Sequence, residues 1–304
     1  MTNFKLKIAV LVFLFLSLGL FAQITHQTPL GAKTISHKIY SKNKKEYVLN
    51  ITFPRNYDAK KNYKSLYYLD AFWLKDLTLG SYTILELCDY VEDVVFVGIS
   101  LNGSQEDWHK QRDLDFTPSP FRNLGLLQKL KNKHTENNIE ISVKTGKGNQ
   151  LNKNNTGGAN VFVNILENDI IQYIEKKYPN LNKSRGLLGH SFGGLFGFYV
   201  LQNRPDLFQD LLLISGSLSW NSSELVNNAK FTKLKTSKNN IQLYHSYGTN
   251  EVKGIRIAND QIKELITSLQ LENLKYKFDP IPNTNHHSVL SRAIYDGLLY
   301  LYKK

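Results

Sequence analysis

Hydrophobic residues along the chain fall into short apolar runs that alternate with longer amphipathic stretches. The short runs predict strands at residues 47–54, 65–70, 94–100, 185–189, 211–215, 241–247 and 275–280. The longer stretches predict helices at residues 161–177, 195–203, 258–271 and 288–302. Residues 94–100, "VVFVGIS", are almost wholly apolar, as is typical of a strand covered on both faces. The alternation predicts an α/β fold, with a mostly parallel central sheet and helices on both faces.

One internal segment interrupts this alternation. Residues 129–158 are rich in Lys, Asn, Thr and Gly and contain few large apolar side chains. Such composition predicts a flexible surface excursion within the domain. Two interpretations stay open, an insertion loop without a function and a lid over the functional site.

The N-terminal segment has the composition of a secretory signal peptide. Lys5 and Lys7 precede a short apolar run, and the small residue Ala22 follows it. We expect cleavage of residues 1–22, export to the periplasm or beyond the cell, and no membrane span in the mature chain. An uncleaved N-terminal anchor is the alternative, because the run is strongly apolar.

Length, charge and cysteine content narrow the possible classes of protein. Residues 23–304 fit one large α/β domain better than two small ones. The net charge is +12, but no Arg-rich or aromatic-interleaved basic patch indicates nucleic-acid binding. Cys88 is the only cysteine, which excludes an intrachain disulfide, and we expect it to be buried.

The segment "LLGHSFGGLFGFYV" contains a candidate nucleophile. Ser191 lies between Gly189 and Gly193 in a Gly-x-Ser-x-Gly motif, after an apolar strand and before a predicted helix. This is the context of a nucleophile elbow, in which a sharp turn exposes the serine hydroxyl. The helix N-terminus favours developing negative charge, and the amide of Phe192 lies where an oxyanion would form.

A serine nucleophile needs a histidine as its base and an acid that orients the histidine. In an architecture of this kind, the acid follows the serine along the chain and the histidine follows the acid. His245 lies within a strand and is expected in the core, whereas His286 and His287 lie in a loop that can reach the sheet edge. The spacing does not distinguish His286 from His287 as the base. A metal site at these two histidines is disfavoured, because no cluster of carboxylates lies nearby in the sequence. Glu251 follows a strand and is favoured as the acid over Asp279, which lies within a strand.

Several separated stretches resemble the putative esterase family of α/β-hydrolases, which is related to esterase D, and in particular its siderophore-esterase-like branch. They are "SLYYLDAF", "VVFVGIS", "QRDLDFTPSPF", "TGGANVFVNILENDIIQYIEKKYPN", "LLGHSFGGLFG", "SGSLSW", "YGTNE" and "NHHSVLSRAIYDGLLYL". The resemblance spans nearly all of residues 23–304. It implies the α/β-hydrolase fold and a serine esterase that hydrolyses carboxylic esters through an acyl-enzyme, without a metal or cofactor.

The resemblance also implies roles for individual residues. Ser191 corresponds to the nucleophile and Glu251 to the acid. The family segment reads His, a variable residue, then Ser-Val, so His286 corresponds to the base and His287 to the variable position.

The oxyanion hole follows from the same resemblance. The amides of Phe72 and Phe192 are implied as its donors, and Ala71 stands where the family has glycine.

Two further residues are candidates for substrate binding. Arg112 is expected either to hold an anionic group of the substrate or to form a structural pair with Asp113 or Asp115. Trp220 is retained in "SGSLSW", although that loop departs from the family pattern and leaves the pocket shape open.

The expected partner is a small-molecule ester, whether a siderophore ester, an acylated sugar or a simple ester. Two other functions stay open. One is a catalytically inactive secreted binding protein on the same scaffold, and the other is an acyltransferase that uses a sugar or lipid as the acceptor. The sequence indicates no oligomeric state.

Overall fold

The computed structural model describes residues 25–27, 32–42, 44–122, 143–145, 149–182 and 184–304. The predicted signal peptide lies outside these residues, as do residues 129–142 and 146–148 of the predicted excursion. The strands are β1 Thr25–Gln27, β2 Lys33–Tyr40, β3 Glu46–Phe53, β4 Lys64–Tyr68, β5 Val94–Leu101, β6 Val143–Thr145, β7 Asn149–Leu151, β8 Arg185–His190, β9 Asp210–Ile214, β10 Ile241–Gly248 and β11 Leu274–Ile281.

Nine of these strands form one mixed sheet in the order β1-β2-β3-β5-β4-β8-β9-β10-β11. Every neighbouring pair from β5 to β11 is parallel. On the other side of β5, the strands β3, β2 and β1 follow in that order, and each neighbouring pair is antiparallel. The prediction of a mostly parallel sheet is therefore confirmed.

Helices cover both faces of this sheet. They are α1 Ala71–Leu87, α2 Gln105–Asp115, α3 Ala159–Ile165, α4 Gln172–Lys177, α5 Phe192–Asn203, α6 Trp220–Asn227, α7 Thr232–Thr236, α8 Lys253–Ser268 and α9 Val289–Tyr302, with a π-helical turn Leu166–Ile171 between α3 and α4. Leu74 of α1 and Leu298 of α9 belong to the core on one face. Phe162 of α3, Leu195 of α5 and Ile262 of α8 belong to the core on the other.

Several elements are absent from the sequence prediction. The described part of the excursion contains the antiparallel strand pair β6 and β7 rather than only loop. The helix α2 is highly charged and begins with a capping box between Ser104 and Asp107, so hydrophobic periodicity does not reveal it. The expectation that Cys88 is buried is wrong, because it follows the last residue of α1 and its side chain is exposed.

No helix in the described ranges has both the length and the apolar character needed to cross a bilayer.

The turn between β8 and α5 holds Ser191 in an unusual backbone conformation, with φ 59° and ψ −117°. Close approach of the helix to the strand restricts the neighbouring positions. A Cβ atom added at Gly189 would overlap the carbonyl group of Gly193. A Cβ atom added at Gly193 itself would lie 3.5 Å from the nearest atom of Leu69, which is an ordinary van der Waals contact. Only the first glycine of the motif is therefore required for packing.

This asymmetry predicts different effects of alanine at the two glycines. Gly189→Ala should destabilise the fold by about 2 kcal/mol or more, because backbone atoms must move to admit the methyl group. Gly193→Ala should change the free energy of unfolding by less than about 1 kcal/mol, since alanine also favours the helix. Urea unfolding of the two variants measures the difference, and similar losses in both would contradict the packing argument.

Candidate active site

Three side chains from distant parts of the chain meet at the carboxyl edge of the parallel strands. Ser191 follows β8, Glu251 lies in the turn after β10, and His286 lies in the loop between β11 and α9. The Oγ atom of Ser191 lies 3.0 Å from Nε2 of His286. The Nδ1 atom of His286 lies 2.7 Å from Oε2 of Glu251. The histidine can therefore act as a general base on the hydroxyl group, while the carboxylate orients the ring.

The carboxylate of Glu251 is buried and well supplied with hydrogen-bond donors. Its Oε1 accepts hydrogen bonds from the hydroxyl of Ser215 and from the amide of Gly248, the latter at 2.9 Å. Burial alone would raise the pKa of Glu251, but the hydrogen bonds from His286, Ser215 and Gly248 outweigh it and hold this pKa below its usual value. The group is therefore ionised at neutral pH.

The structure distinguishes the two adjacent histidines. His286 contacts both Ser191 and Glu251, whereas the exposed ring of His287 lies edge-on to Trp73 at a centroid distance of 6.2 Å. Spacing alone does not predict this choice, because it depends on how the loop after β11 turns.

The other histidine and carboxylate considered from the sequence have different roles. His245 is fully buried, and its two ring nitrogens lie 2.9 Å from the hydroxyl of Tyr276 and from Oδ1 of Asn259. Burial lowers the pKa of His245 to about 4, which keeps the ring neutral. Asp279 accepts a hydrogen bond of 2.7 Å from the hydroxyl of Tyr244. Both residues therefore stabilise β10 and β11.

One residue near the site was not predicted from the sequence. The Nε2 atom of His190 lies 2.8 Å from the main-chain carbonyl oxygen of His286. Since a carbonyl only accepts, this nitrogen carries the proton. Burial first, and then the neighbouring ring of His286, hold the pKa of His190 well below its usual value, so the residue is neutral. Its sequence signal is a polar residue at the end of a buried strand, directly before the candidate nucleophile.

The two amides predicted for the oxyanion hole lie at the starts of two adjacent helices. Phe72 is the second residue of α1, and Phe192 is the first residue of α5. Amides in the first turn of a helix have no acceptor within that helix and are available to a ligand. A Cβ atom on Gly193 would lie 3.5 Å from Leu69 and 3.7 Å from Oδ2 of Asp70, so the two helix starts adjoin.

The departure from glycine at Ala71 is accommodated locally. Ala71 is buried, and a Cβ atom added to Gly98 on β5 would lie 2.9 Å from the methyl group of Ala71. Glycine at this position of β5 leaves space for the hydroxyl end of Tyr68, which a Cβ atom would overlap, and for the methyl group of Ala71.

Arg112 pairs with a carboxylate that its sequence neighbourhood does not indicate. Its Nε and Nη2 atoms each lie 3.0 Å from one carboxylate oxygen of Asp70. Its Nη1 atom lies 3.9 Å from Asp113. Asp115 instead accepts a hydrogen bond of 2.8 Å from the hydroxyl of Tyr47. The expected structural pair therefore exists, but its main partner is Asp70 rather than Asp113 or Asp115.

Trp220 lies behind one of the two candidate oxyanion donors. Its side chain is largely buried, and its Nε1 donates a hydrogen bond of 3.1 Å to the carbonyl oxygen of Ser119. Its ring meets the ring of Phe192 at a centroid distance of 5.3 Å and an angle of 87°. Substrate binding by Trp220 stays a prediction.

Two short motifs of the sequence contact each other, "DFTP" at residues 115–118 and "GGA" at residues 157–159. The amide of Gly157 donates to the hydroxyl of Thr117 at 2.7 Å, and the amide of Ala159 donates to the carbonyl oxygen of Thr117 at 3.1 Å. The amide of Gly158 donates to the carbonyl oxygen of Leu114 at 2.8 Å. The two motifs together therefore fix the start of α3 against the end of α2.

The fold is similar to those of several solved structures. The BES protein from Bacillus cereus superposes with a TM-score of 0.74 and 23% identity, over 89% of this chain and 96% of that one. The siderophore hydrolase EstA from Aspergillus nidulans gives a TM-score of 0.67 and 20% identity, over 88% of this chain and 93% of that one. These similarities show the α/β-hydrolase fold, as predicted.

Comparison of the sequence with known proteins identifies a family. Ferri-bacillibactin esterase BesA of Bacillus subtilis (strain 168) is 32% identical over 147 residues, which are 45% of this chain and 51% of that protein. The alignment thus spans about half the length of this relative. The model of the family described as "Putative esterase" matches residues 130–288, more than half of the chain. The chain therefore belongs to the putative esterase family of α/β-hydrolases.

Proposed function

We propose that this protein is a serine ester hydrolase that forms an acyl-enzyme on Ser191. The observation that carries this proposal is the continuous hydrogen-bonded series from Ser191 through His286 to Glu251, with distances of 3.0 and 2.7 Å. Membership of the putative esterase family supports the same reaction.

In the proposed mechanism, His286 removes the proton of the Ser191 hydroxyl as its Oγ atom attacks the ester carbonyl carbon. The resulting imidazolium is stabilised through its Nδ1 proton by the ionised carboxylate of Glu251. The amides of Phe72 and Phe192 donate hydrogen bonds to the oxyanion. His286 then protonates the leaving alcohol, and it activates a water molecule that hydrolyses the acyl group from Ser191.

The proposed substrate class is a siderophore ester. The support is the relative named ferri-bacillibactin esterase, which shares 32% identity over the aligned residues. The net charge of +12, which becomes +10 without Lys5 and Lys7 of the signal peptide, also favours approach of an anionic substrate. Export of the protein is part of this proposal, because residues 1–22 have the pattern of a signal peptide.

The assignment of the nucleophile predicts the effect of Ser191→Ala. The wild-type protein should hydrolyse p-nitrophenyl butyrate, and the variant should lose at least about 10⁴-fold in kcat, because no oxygen replaces the attacking hydroxyl. Ser268→Ala changes an exposed serine of α8 and should keep the wild-type rate. Equal rates for wild type and Ser191→Ala would overturn the proposed function.

The substrate class is tested with a panel of esters. Ferri-bacillibactin, an acetylated oligosaccharide and p-nitrophenyl butyrate are each incubated with the protein, and the products are quantified by mass spectrometry. We expect the highest kcat/KM for ferri-bacillibactin. A higher kcat/KM for the oligosaccharide would still support an esterase, but it would reject a siderophore ester as the substrate class.

The lowered pKa of Glu251 predicts a specific pH dependence. Since a carboxyl group with a depressed pKa stays ionised above that pKa, its charge is present throughout pH 5.5 to 8. Glu251→Gln should lower kcat by on the order of 10²- to 10⁴-fold, as in other triads. The ratio of wild-type to variant kcat should be largest on the alkaline plateau and fall towards acidic pH, because loss of the carboxylate destabilises the imidazolium and moves the acidic limb of the variant's profile to lower pH.

The control for that measurement is Glu264→Gln, which changes an exposed glutamate of α8. Its kcat should equal the wild-type value at every pH. An acidic limb at the same pH in wild type and Glu251→Gln, or an equal kcat on the alkaline plateau, would contradict an ionised Glu251 beside the base.

A further inference from the structure

The helix α2 presents two side chains to the region where the two candidate oxyanion donors lie. The indole of Trp108 stacks on the ring of Phe72 at a centroid distance of 5.5 Å and an angle of 16°. One turn later, the guanidinium group of Arg112 lies 5.3 Å from the ring centroid of Phe192. A single helix therefore contacts both donor residues.

Arg112 also holds the backbone that precedes the first donor. Its two hydrogen bonds of 3.0 Å engage both carboxylate oxygens of Asp70, which lies two residues before Phe72. Bidentate pairs of this kind fix orientation as well as distance, because both groups are planar. The arginine side chain is only 11% exposed and that of Asp70 is fully buried. Because solvent hydrates neither charge well, each is stabilised mainly by the other.

The conformation of Asp70 makes this contact important. Asp70 has φ 56° and ψ 35°, in the left-handed region, which costs a residue other than glycine about 1 kcal/mol. Aspartate before a helix commonly caps the first amides with its side chain. Within the described residues, the side chain of Asp70 forms no such cap on α1 and is turned to Arg112 instead. The side chain of Asp70 therefore leaves the amide of Phe72 uncovered, whereas the amides of Trp73 and Leu74 donate to the carbonyl oxygen of Asp70 at 3.1 and 3.0 Å.

We infer that the Arg112 and Asp70 pair positions the oxyanion hole, by fixing the starts of α1 and α5 relative to each other. This inference rests on the proposed function. It makes Arg112 a positioning residue rather than a ligand for an anionic substrate, since its Nε and Nη2 atoms are already engaged by Asp70. It also assigns a role to the "QRDLDF" segment that contains Arg112.

A positioning role has a distinctive kinetic consequence. Hydrogen bonds to an oxyanion form fully only in the transition state, so misplaced donors lower kcat and leave substrate binding nearly unchanged. Loss of one such donor typically costs on the order of 10²- to 10³-fold in kcat. A residue that bound an anionic substrate would instead change KM.

The experiment compares Arg112→Met, Asp70→Asn and the double variant with wild type, using p-nitrophenyl butyrate, an uncharged ester. Each single variant should lose about 10²-fold in kcat, with KM within about threefold of wild type. Because both residues act through one contact, the double variant should be no slower than the slower single variant. The free energy of unfolding of the double variant should also be higher than that of either single variant, since the double variant leaves no unpaired buried charge.

A second readout reports on the oxyanion directly. Sulfur accepts hydrogen bonds more weakly than oxygen does, so the ratio of kcat for an ester to that for its thionoester measures the contribution of the amide donors. This ratio should fall in the Arg112 and Asp70 variants. Arg204→Met is the matched control, because it breaks another bidentate pair, with Glu167, at 2.6 and 2.7 Å. Its kcat and ratio should equal those of wild type.

Three results would overturn the inference. The first is a kcat in the single variants within threefold of wild type. The second is a double variant in which both kcat and the free energy of unfolding return to the wild-type values, which indicates a purely structural role. The third is a raised KM with unchanged kcat, which indicates substrate binding. Equal rates for wild type and Ser191→Ala would instead reject the proposed function, and the inference with it.

Discussion

The backbone conformation of Ser191 is the constraint on which the rest of the site depends. A residue other than glycine with φ 59° and ψ −117° is unfavourable by about 1 to 3 kcal/mol and persists only where its surroundings hold it. Its amide donates to Ile214 on β9 at 3.1 Å. Its carbonyl oxygen accepts hydrogen bonds from Leu195 at 2.9 Å and from Ser217 at 3.0 Å. The neighbouring strand, the following helix and the next loop thus jointly maintain the turn, which places the hydroxyl oxygen 3.0 Å from Nε2 of His286.

The charged groups around this turn are arranged in separate units. Glu251 is ionised beside His286 and is held there by two further donors. The neutral ring of His190 supports the main chain of His286 without adding a second charge. The positive charge of Arg112 is compensated by Asp70 at the start of α1. In the proposed reaction, the negative charge next to the imidazole therefore comes from Glu251 alone.

Hydrophobic pattern predicts most of the central sheet and several of the helices that pack on it, because those elements bury continuous apolar faces, but it misses α1, Ala71–Leu87. The same pattern does not predict the helix α2, since the residues that it buries are Trp108, Asp113 and Asp115 rather than an apolar stripe. The Gly-x-Ser-x-Gly motif predicts Ser191, and its position after a strand favours Glu251 over Asp279. Spacing leaves His286 and His287 open, because the choice depends on the path of a loop, and the family resemblance alone implies His286. The pairing of Arg112 with Asp70 joins residues 42 positions apart, and local sequence carries no signal for such a contact.

The most direct measurement of the central claim is the mass of the intact protein during turnover. Acid quenching of the wild-type protein in the steady state with p-nitrophenyl acetate should give a population heavier by one acetyl group. Proteolysis should then locate this group on the peptide that contains Ser191, and Ser191→Ala should remain unmodified. Turnover of the ester with the acetyl group on another residue, or an equal adduct in Ser191→Ala, would contradict the account.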